Sequence, residues 1–246
     1  MKIKDLENKI INADCYDILK QLPDHCVDLV LTDPPYELET CGGVGKSGLG
    51  ARAKAVKDNI LFISNGFDYK TLFNEFKRIC KPLNLYIFCS NKQISKTMSF
   101  FENEYPTTLL TWHKTNAIPL VNKTYHSNVE YIVCVRDKGS TFNQLSVAEL
   151  SKVISMPYPV GDRIHPTQKP VLLLEKLLKI KTKENDLVLD CFSGSGSTAI
   201  ACHKTNRRFI CIEKNKDFYD SSCKRLMQEQ SQAELFKNQL DLTDIC

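Results

Sequence analysis

The stretch from residue 186 to residue 214 restricts the fold of this chain more than any other. It runs through DLVLDCF, SGSGS, TAIACHK and RRFICIEK in that order. The first and last runs are short, apolar and bounded by polar residues, which is typical of buried strands. TAIACHK has the pattern of a short helix, and the serines and glycines before it indicate a turn. A strand, a helix and a second strand make a βαβ unit, which predicts an α/β fold with a parallel sheet.

The rest of the chain supplies further strands and helices. The predicted strands span residues 10–15, 27–31, 84–90, 107–114 and 129–137, and the predicted helices span residues 17–22, 68–80, 92–102 and 170–180. TTLLTWHK and VEYIVCVRD are separated by one polar segment, so we expect an antiparallel pair at one edge of the sheet. A short helical pattern lies near residues 147–154. The fold class is thus α/β, with a mostly parallel twisted sheet and an antiparallel edge.

The composition fits a single domain spanning residues 1–246. The length of 246 residues, the hydrophobic fraction of 42% and the charged fraction of 25% are ordinary for one α/β domain. The net charge of +4 permits binding to a polyanion without requiring it. The amino terminus has no apolar signal core and no run is long enough to span a membrane, so we expect a cytoplasmic protein.

The eleven cysteines do not have the spacing of a metal site. There is no Cys-x-x-Cys, and no pair of histidines lies near a pair of cysteines at zinc-finger spacing. Most cysteines lie inside apolar runs, among them Cys89, Cys134, Cys191 and Cys211. We therefore predict buried thiols and no metal ligands.

A rigid polar motif follows the apolar run of residues 27–31. It is Asp33-Pro34-Pro35-Tyr36, and it would lie at the carboxyl edge of the sheet, where ligands bind in open α/β folds. The prolines hold the backbone extended, so that a carboxylate, a carbonyl and an aromatic ring stand in a stiff row. Such a row suits a flat molecule that carries an amino group. The alternative is that the two prolines merely end a strand.

The turn of the βαβ unit is the second candidate binding site. Gly194-x-Gly196-x-x-Ala199 lies between a strand and the start of a helix, and Glu213 ends the next strand. Glycines let the backbone approach a ligand closely, and a carboxylate at the following strand end can accept two ribose hydroxyls. These residues alone leave NAD and S-adenosylmethionine open as ligands.

Three motifs together resemble a known family. DLVLT before Asp-Pro-Pro-Tyr, the hexapeptide HPTQKP of residues 165–170 and the DCFSGSGST stretch of residues 190–198 resemble motifs of the S-adenosylmethionine-dependent DNA amino-methyltransferases, which modify N6 of adenine or N4 of cytosine. The catalytic motif precedes the donor motif, which resembles the circularly permuted β class. The resemblance covers about residues 10–226 and implies a Rossmann-like methyltransferase fold.

The resemblance also implies roles for individual residues. Asp33 and the Pro34 carbonyl would accept the N–H bonds of the target amine, and Tyr36 would stack on the flipped base. Asp14 would meet the donor's adenine, Glu213 its ribose, and Asp190 with the glycine loop its methionine part, while Thr167 and Lys169 would close over it. The remaining residues assigned to the two sites are Pro35, Cys15, Gln168, Phe192, Ser195, Gly196 and Thr198.

Adenine N6 is the predicted target, because cytosine members of the family more often carry Ser before Pro-Pro-Tyr. The alternatives are cytosine N4, an RNA base or a protein glutamine, an NAD-binding oxidoreductase, and an inactive DNA-binding module. Double-stranded DNA is the expected partner, and family membership admits a homodimer and a cognate restriction endonuclease. Residues 41–66 are rich in glycine and lysine, which predicts a mobile loop. Residues 137–164 are the candidate for a short target-recognition segment.

Overall fold

The computed structural model describes residues 2–35, 67–119, 125–161, 164–165 and 167–243. Within these ranges eight strands form one sheet in the order β1-β8-β7-β2-β3-β5-β4-β6. The strands are β1 Lys9–Asn12, β2 Leu29–Thr32, β3 Asn84–Cys89, β4 Thr107–Lys114, β5 Val129–Arg136, β6 Val153–Met156, β7 Leu187–Asp190 and β8 Arg208–Glu213.

The sheet is mostly parallel. Strands β1, β8, β7, β2 and β3 run in one direction, whereas β5 is antiparallel to both of its neighbours, β3 and β4. The predicted fold class and the predicted antiparallel pair are confirmed. Because β1, β2, β7 and β8 are parallel and adjacent, their carboxyl ends meet at one edge of the sheet.

Six α-helices accompany the sheet in the described part of the chain. They are α1 Cys15–Leu19, α2 Tyr69–Ile79, α3 Asn91–Phe101, α4 Val171–Lys181, α5 Ser197–Lys204 and α6 Lys216–Thr243. Asp68 caps the N-terminus of α2, because its carboxylate accepts the Thr71 backbone N–H at 3.2 Å. No helix among the described residues has the length and apolar character needed to cross a bilayer.

Apolar layers cover both faces of the sheet. One layer contains Phe73 and Phe76 of α2, and the other contains Leu177 of α4 and Ile200 of α5. The six residues of β3 are all buried and alternate between the two layers. The four cysteines predicted to lie in the core are also buried. Since both faces are closed, the carboxyl edge is where a ligand can approach the strand ends.

The structure corrects the prediction for residues 147–154. Residues 147–150 form a turn rather than a helix, and β6 begins at Val153. Val153 is 56% exposed and Ile154 is 4% exposed, an alternation typical of a strand. Pairing with β4 makes β6 the outermost strand, beyond the antiparallel pair. The predicted loop of residues 41–66 lies outside the described residues, as do residues 162–163 of the predicted recognition segment.

Candidate active site

A cavity of about 550 Å³ opens at the carboxyl edge of the sheet. Asp33 and Pro34, which follow β2, lie on its wall together with Gly194 of the glycine loop and Glu213 at the end of β8. Asp14, which follows β1, completes the same wall. Two motifs that are far apart in sequence therefore share one cavity.

Direct pairing of β2 with β7 brings the two motifs together. The Thr32 hydroxyl donates to the Asp190 carboxylate at 2.9 Å, and the Cys191 N–H donates to the same hydroxyl at 3.2 Å. Thr32 is the residue immediately before Asp33. The residue that starts the donor motif is thus tied to the strand that carries the catalytic motif.

The two glycines of the loop have conformations that favour glycine. Gly194 has φ +48° and Gly196 has φ +72°, both in the left-handed region. A Cβ at Gly194 would stand 3.3 Å from the His165 ring, and one at Gly196 would stand 3.0 Å from Ser222. Gly194 lines the cavity, whereas Gly196 shapes the turn behind it and caps α5.

Asp190 holds this turn in place. One carboxylate oxygen accepts the Thr32 hydroxyl and the Phe192 N–H, and the other accepts the Thr198 hydroxyl at 2.6 Å. Burial raises the pKa of Asp190 to about 6, although these hydrogen bonds act to lower it. The carboxylate lines the cavity, but its described hydrogen bonds are all internal, so its proposed contact with the methionine part of the donor stays a prediction.

Two further carboxylates lie on the side of the cavity that holds the glycine loop, called the donor side. Glu213 accepts the Gly194 N–H and the Asn215 N–H, each at 2.8 Å, and burial raises its pKa. Asp14 caps α1 and accepts the Lys214 ammonium at 2.8 Å. Burial would raise the pKa of Asp14, but the contacts with Lys214 and the helix outweigh it and lower the pKa. Each carboxylate oxygen can accept a second hydrogen bond, so both groups can also receive donors from a ligand.

The side of the cavity that holds Asp33, called the acceptor side, contains a chain of buried and partly buried charges. The Lys169 ammonium lies 2.5 Å from the Asp33 carboxylate and 3.1 Å from Glu130, and Glu130 lies 2.7 Å from Lys114. Burial disfavours the charge on Lys169, but the two carboxylates outweigh burial and raise its pKa. The side chain of Lys169 is only 6% exposed. Its described ion pairs orient the catalytic motif; closure over the donor remains a prediction.

Other residues predicted for the site lie on the same cavity wall. They are Cys15, Thr167, Gln168, Phe192, Ser195 and Thr198. Tyr36 lies outside the described residues. His165, which opens the HPTQKP motif, packs edge-on against Phe218 with ring centroids 4.3 Å apart. Burial, with a smaller contribution from the Lys169 charge, lowers the pKa of His165 to about 4, so the imidazole is neutral at pH 7.

Several residues of the site were not predicted from the sequence, among them Lys114 of the acceptor side. Thr32 and Glu130 were described above, and Arg225 of α6 donates to the Ser195 carbonyl and to the Ser197 hydroxyl, each at 3.0 Å. A signal existed for Glu130, because a carboxylate inside the apolar run VEYIVCV is costly to bury without a partner. Arg225 lies in an ordinary polar helix pattern, which contains no such signal.

The fold and the cavity define a Rossmann-like transferase in which a donor loop and an acceptor motif face each other. The family model described as "DNA methylase" matches residues 27–224. The chain belongs to this N6/N4 DNA methylase family, is a DNA methyltransferase and uses S-adenosylmethionine as its methyl donor.

Individual relatives agree with this assignment. Type II methyltransferase M2.DpnII of Streptococcus pneumoniae is 30% identical, over 89% of this chain and 90% of its own length. M.HinfI of Haemophilus influenzae is 29% identical, over 92% of this chain and 70% of its own length. The solved M1.HpyAVI–SAM complex is 28% identical, with a TM-score of 0.66, covering 88% of this chain and 98% of that one. The cytosine-N4-specific PvuII enzyme shares the fold, with a TM-score of 0.67 at 14% identity and 90% coverage of both chains.

Proposed function

We propose that this methyltransferase transfers the methyl group of S-adenosylmethionine to N6 of an adenine flipped out of duplex DNA. The observation that supports the proposal best is the shared cavity, in which the Asp33 carboxylate opens onto the same space as Gly194 and Glu213. The acidic residue before Pro-Pro-Tyr favours adenine over cytosine.

On the acceptor side, the Asp33 carboxylate and the Pro34 carbonyl accept hydrogen bonds from the two N–H groups of the exocyclic amine. The amine is a poor nucleophile, because its lone pair is delocalised into the ring. Two acceptors fix its orientation, direct the lone pair at the methyl group and stabilise the positive charge that develops on nitrogen. Before DNA binds, the Lys169 ammonium holds the Asp33 carboxylate in place. When the target amine displaces this ammonium from Asp33, Lys169 keeps its ion pair with Glu130.

On the donor side, the Glu213 carboxylate accepts hydrogen bonds from the ribose hydroxyls of the donor, and Asp14 contacts its adenine. The cavity wall from Phe192 to Ser195, together with Thr167 and Gln168, would hold the methionine part. When bound, S-adenosylmethionine supplies an activated methyl group on a sulfonium. The residues of the chain bind it, exclude water and direct it toward Asp33.

Double-stranded DNA binds at the opening of the cavity. The target base must leave the duplex to reach Asp33, and Tyr36 stacks on it once flipped, a contact worth about 1–3 kcal/mol. Residues 137–164 contact the bases around the target.

We further propose that the enzyme acts in the cytoplasm beside a cognate restriction endonuclease. We also propose a homodimer in which Leu235 on α6, which is 64% exposed, packs against a second copy of the chain. Sedimentation of the purified chain tests the dimer, and a monomer at micromolar concentration contradicts it.

Incubation with labelled S-adenosylmethionine and mixed-sequence duplex DNA, followed by nucleoside analysis, tests the proposed function. We expect label in N6-methyldeoxyadenosine. Label in N4-methyldeoxycytidine would correct the target base, and unlabelled DNA from a chain that binds the donor would overturn the proposal. A parallel reaction with Asp33→Asn identifies label that does not depend on this site.

A further inference from the structure

A buried glutamine lies behind the catalytic motif. Gln93, in the first turn of α3, is 1% exposed. Its amide oxygen accepts the Ser90 N–H at 2.9 Å and the Ser90 hydroxyl at 2.7 Å. Its amide nitrogen donates to the Pro35 carbonyl at 2.9 Å and to the Tyr69 hydroxyl. All four hydrogen-bonding positions of the side chain are therefore satisfied.

Ser90 determines which way this amide faces. A backbone N–H can only donate, so the amide oxygen must face Ser90 and the amide nitrogen must face Pro35. The reversed amide would place two N–H donors against each other and a carbonyl against a carbonyl. The hydrogen bonds at the start of α3 therefore keep the Gln93 amide nitrogen directed at the Pro35 carbonyl.

Holding the Pro35 carbonyl sets the one backbone angle that the proline ring leaves open. The ring fixes φ of Pro35, while ψ sets the direction of the carbonyl. The Tyr69 hydroxyl lies 3.5 Å from the same oxygen. Lys169 and Gln93 thus hold opposite ends of the segment Asp33–Pro35.

We propose that Gln93 is a positioning residue for methyl transfer: its amide, oriented by Ser90, holds the Pro35 carbonyl and with it the segment Asp33–Pro35, which carries the two proposed acceptors of the target amine. The inference rests on the proposed function. It does not place Gln93 in contact with either substrate, since Gln93 is absent from the cavity wall among the described residues.

The test is the pH dependence of Gln93→Glu. A carboxylate has no hydrogen to donate to Pro35, whereas the protonated acid has one. Burial raises the pKa of such an acid, so the switch falls in an accessible pH range. We expect the variant's kcat, divided by that of the wild type, to rise from about 0.01–0.1 at high pH to about 0.3 or more at low pH, at unchanged donor affinity.

Gln21→Glu is the matched control. The exposed Gln21 amide donates to the Asp17 carbonyl at 2.8 Å, so the same chemical change occurs away from the cavity. Its kcat ratio should stay near one at every pH. Gln93→Met, which has a similar length and no hydrogen to donate, should be impaired equally at every pH.

The inference is overturned if the Gln93→Glu ratio does not change with pH, or if donor affinity falls as much as kcat. If neither Gln93 variant folds, Tyr69→Phe decides. It keeps the ring packing and removes one member of the hydrogen-bond group, so kcat should fall several-fold at unchanged donor affinity; unchanged kcat overturns the inference. A wild type that does not methylate DNA refutes the proposed function instead.

Discussion

The donor side and the acceptor side of the cavity are built in different ways. The glycine loop and Glu213 come from one continuous strand–turn–helix–strand stretch, and backbone N–H groups make many of its hydrogen bonds. The acceptor side joins Asp33, Lys114, Glu130 and Lys169 from four separate segments through charged side chains. Much of the donor site is thus encoded in one local stretch, to which the pairing of β1 with β8 adds Asp14, whereas the acceptor site exists only through tertiary structure.

The largest effect that separates the two sides should come from Asp33→Asn. The neutral amide stabilises developing positive charge much less than the carboxylate does, so we expect kcat to fall about 100- to 1000-fold. Donor affinity, measured by calorimetry, should change by no more than about 3-fold, because Asp33 lies on the other side of the cavity. Asp28→Asn is the control. Asp28 lies just before β2, the strand that Asp33 follows, and its carboxylate accepts the Leu187 N–H away from the cavity. Equal loss of kcat and donor affinity would mean that Asp33 serves the fold.

Glu213→Gln should have the opposite signature. The variant loses charge-assisted hydrogen bonds to the loop and the donor, so donor affinity should fall about 10- to 30-fold. The kcat at saturating donor should remain close to that of the wild type. Glu184→Gln, an exposed change just before β7, should alter neither quantity. A Glu213 variant with normal donor affinity contradicts the assigned ribose contact.

His165 should make the stability of the donor side depend on pH. Its folded-state pKa of about 4 lies below its ordinary value of 6.5, so between these values the unfolded chain binds a proton that the folded chain does not. The free energy of unfolding should therefore fall as pH is lowered through this window. Asp190, with a pKa raised to about 6, acts in the opposite direction.

His165→Phe separates the two contributions. The packing against Phe218 is kept, whereas the hydrogen bonds between Thr167 and the imidazole and the titration are removed. Urea unfolding of this variant should therefore lose about 2 kcal/mol less stability than the wild type between neutral and acidic pH. An identical pH dependence of the two proteins would show that folding does not lower the pKa of His165.

The smallest effect tests the bond that joins the two sides. Thr32→Val removes the hydroxyl between Asp190 and Cys191, so we expect about 1 kcal/mol of lost stability with small losses in both kcat and donor affinity. Thr97→Val is the matched control, because the buried Thr97 hydroxyl has no hydrogen-bond partner within the described part of the protein. If the two variants behave alike, the cross-strand bond does not couple the sites.

These differences explain what could be predicted from the sequence. The glycine loop and the strand ends follow from local patterns, and the βαβ unit was predicted correctly. The partners of Asp33 could not be predicted, because no local rule places Lys169 and Glu130 beside it. Strand β6 was missed because pairing with β4 overrode a weak helical pattern. Gln93 was read only as part of a helix, since its importance lies in a carbonyl 58 positions earlier.

The pairing of β1 with β8 has a consequence for synthesis of the protein. Asp14 and Glu213 flank the same space, yet they lie far apart in the sequence and are brought together only when β8 pairs with β1. An unfinished polypeptide lacks the second carboxylate and the strand that carries it. A polypeptide that ends before Glu213 therefore lacks part of the cavity wall on the donor side, so we expect it not to bind S-adenosylmethionine.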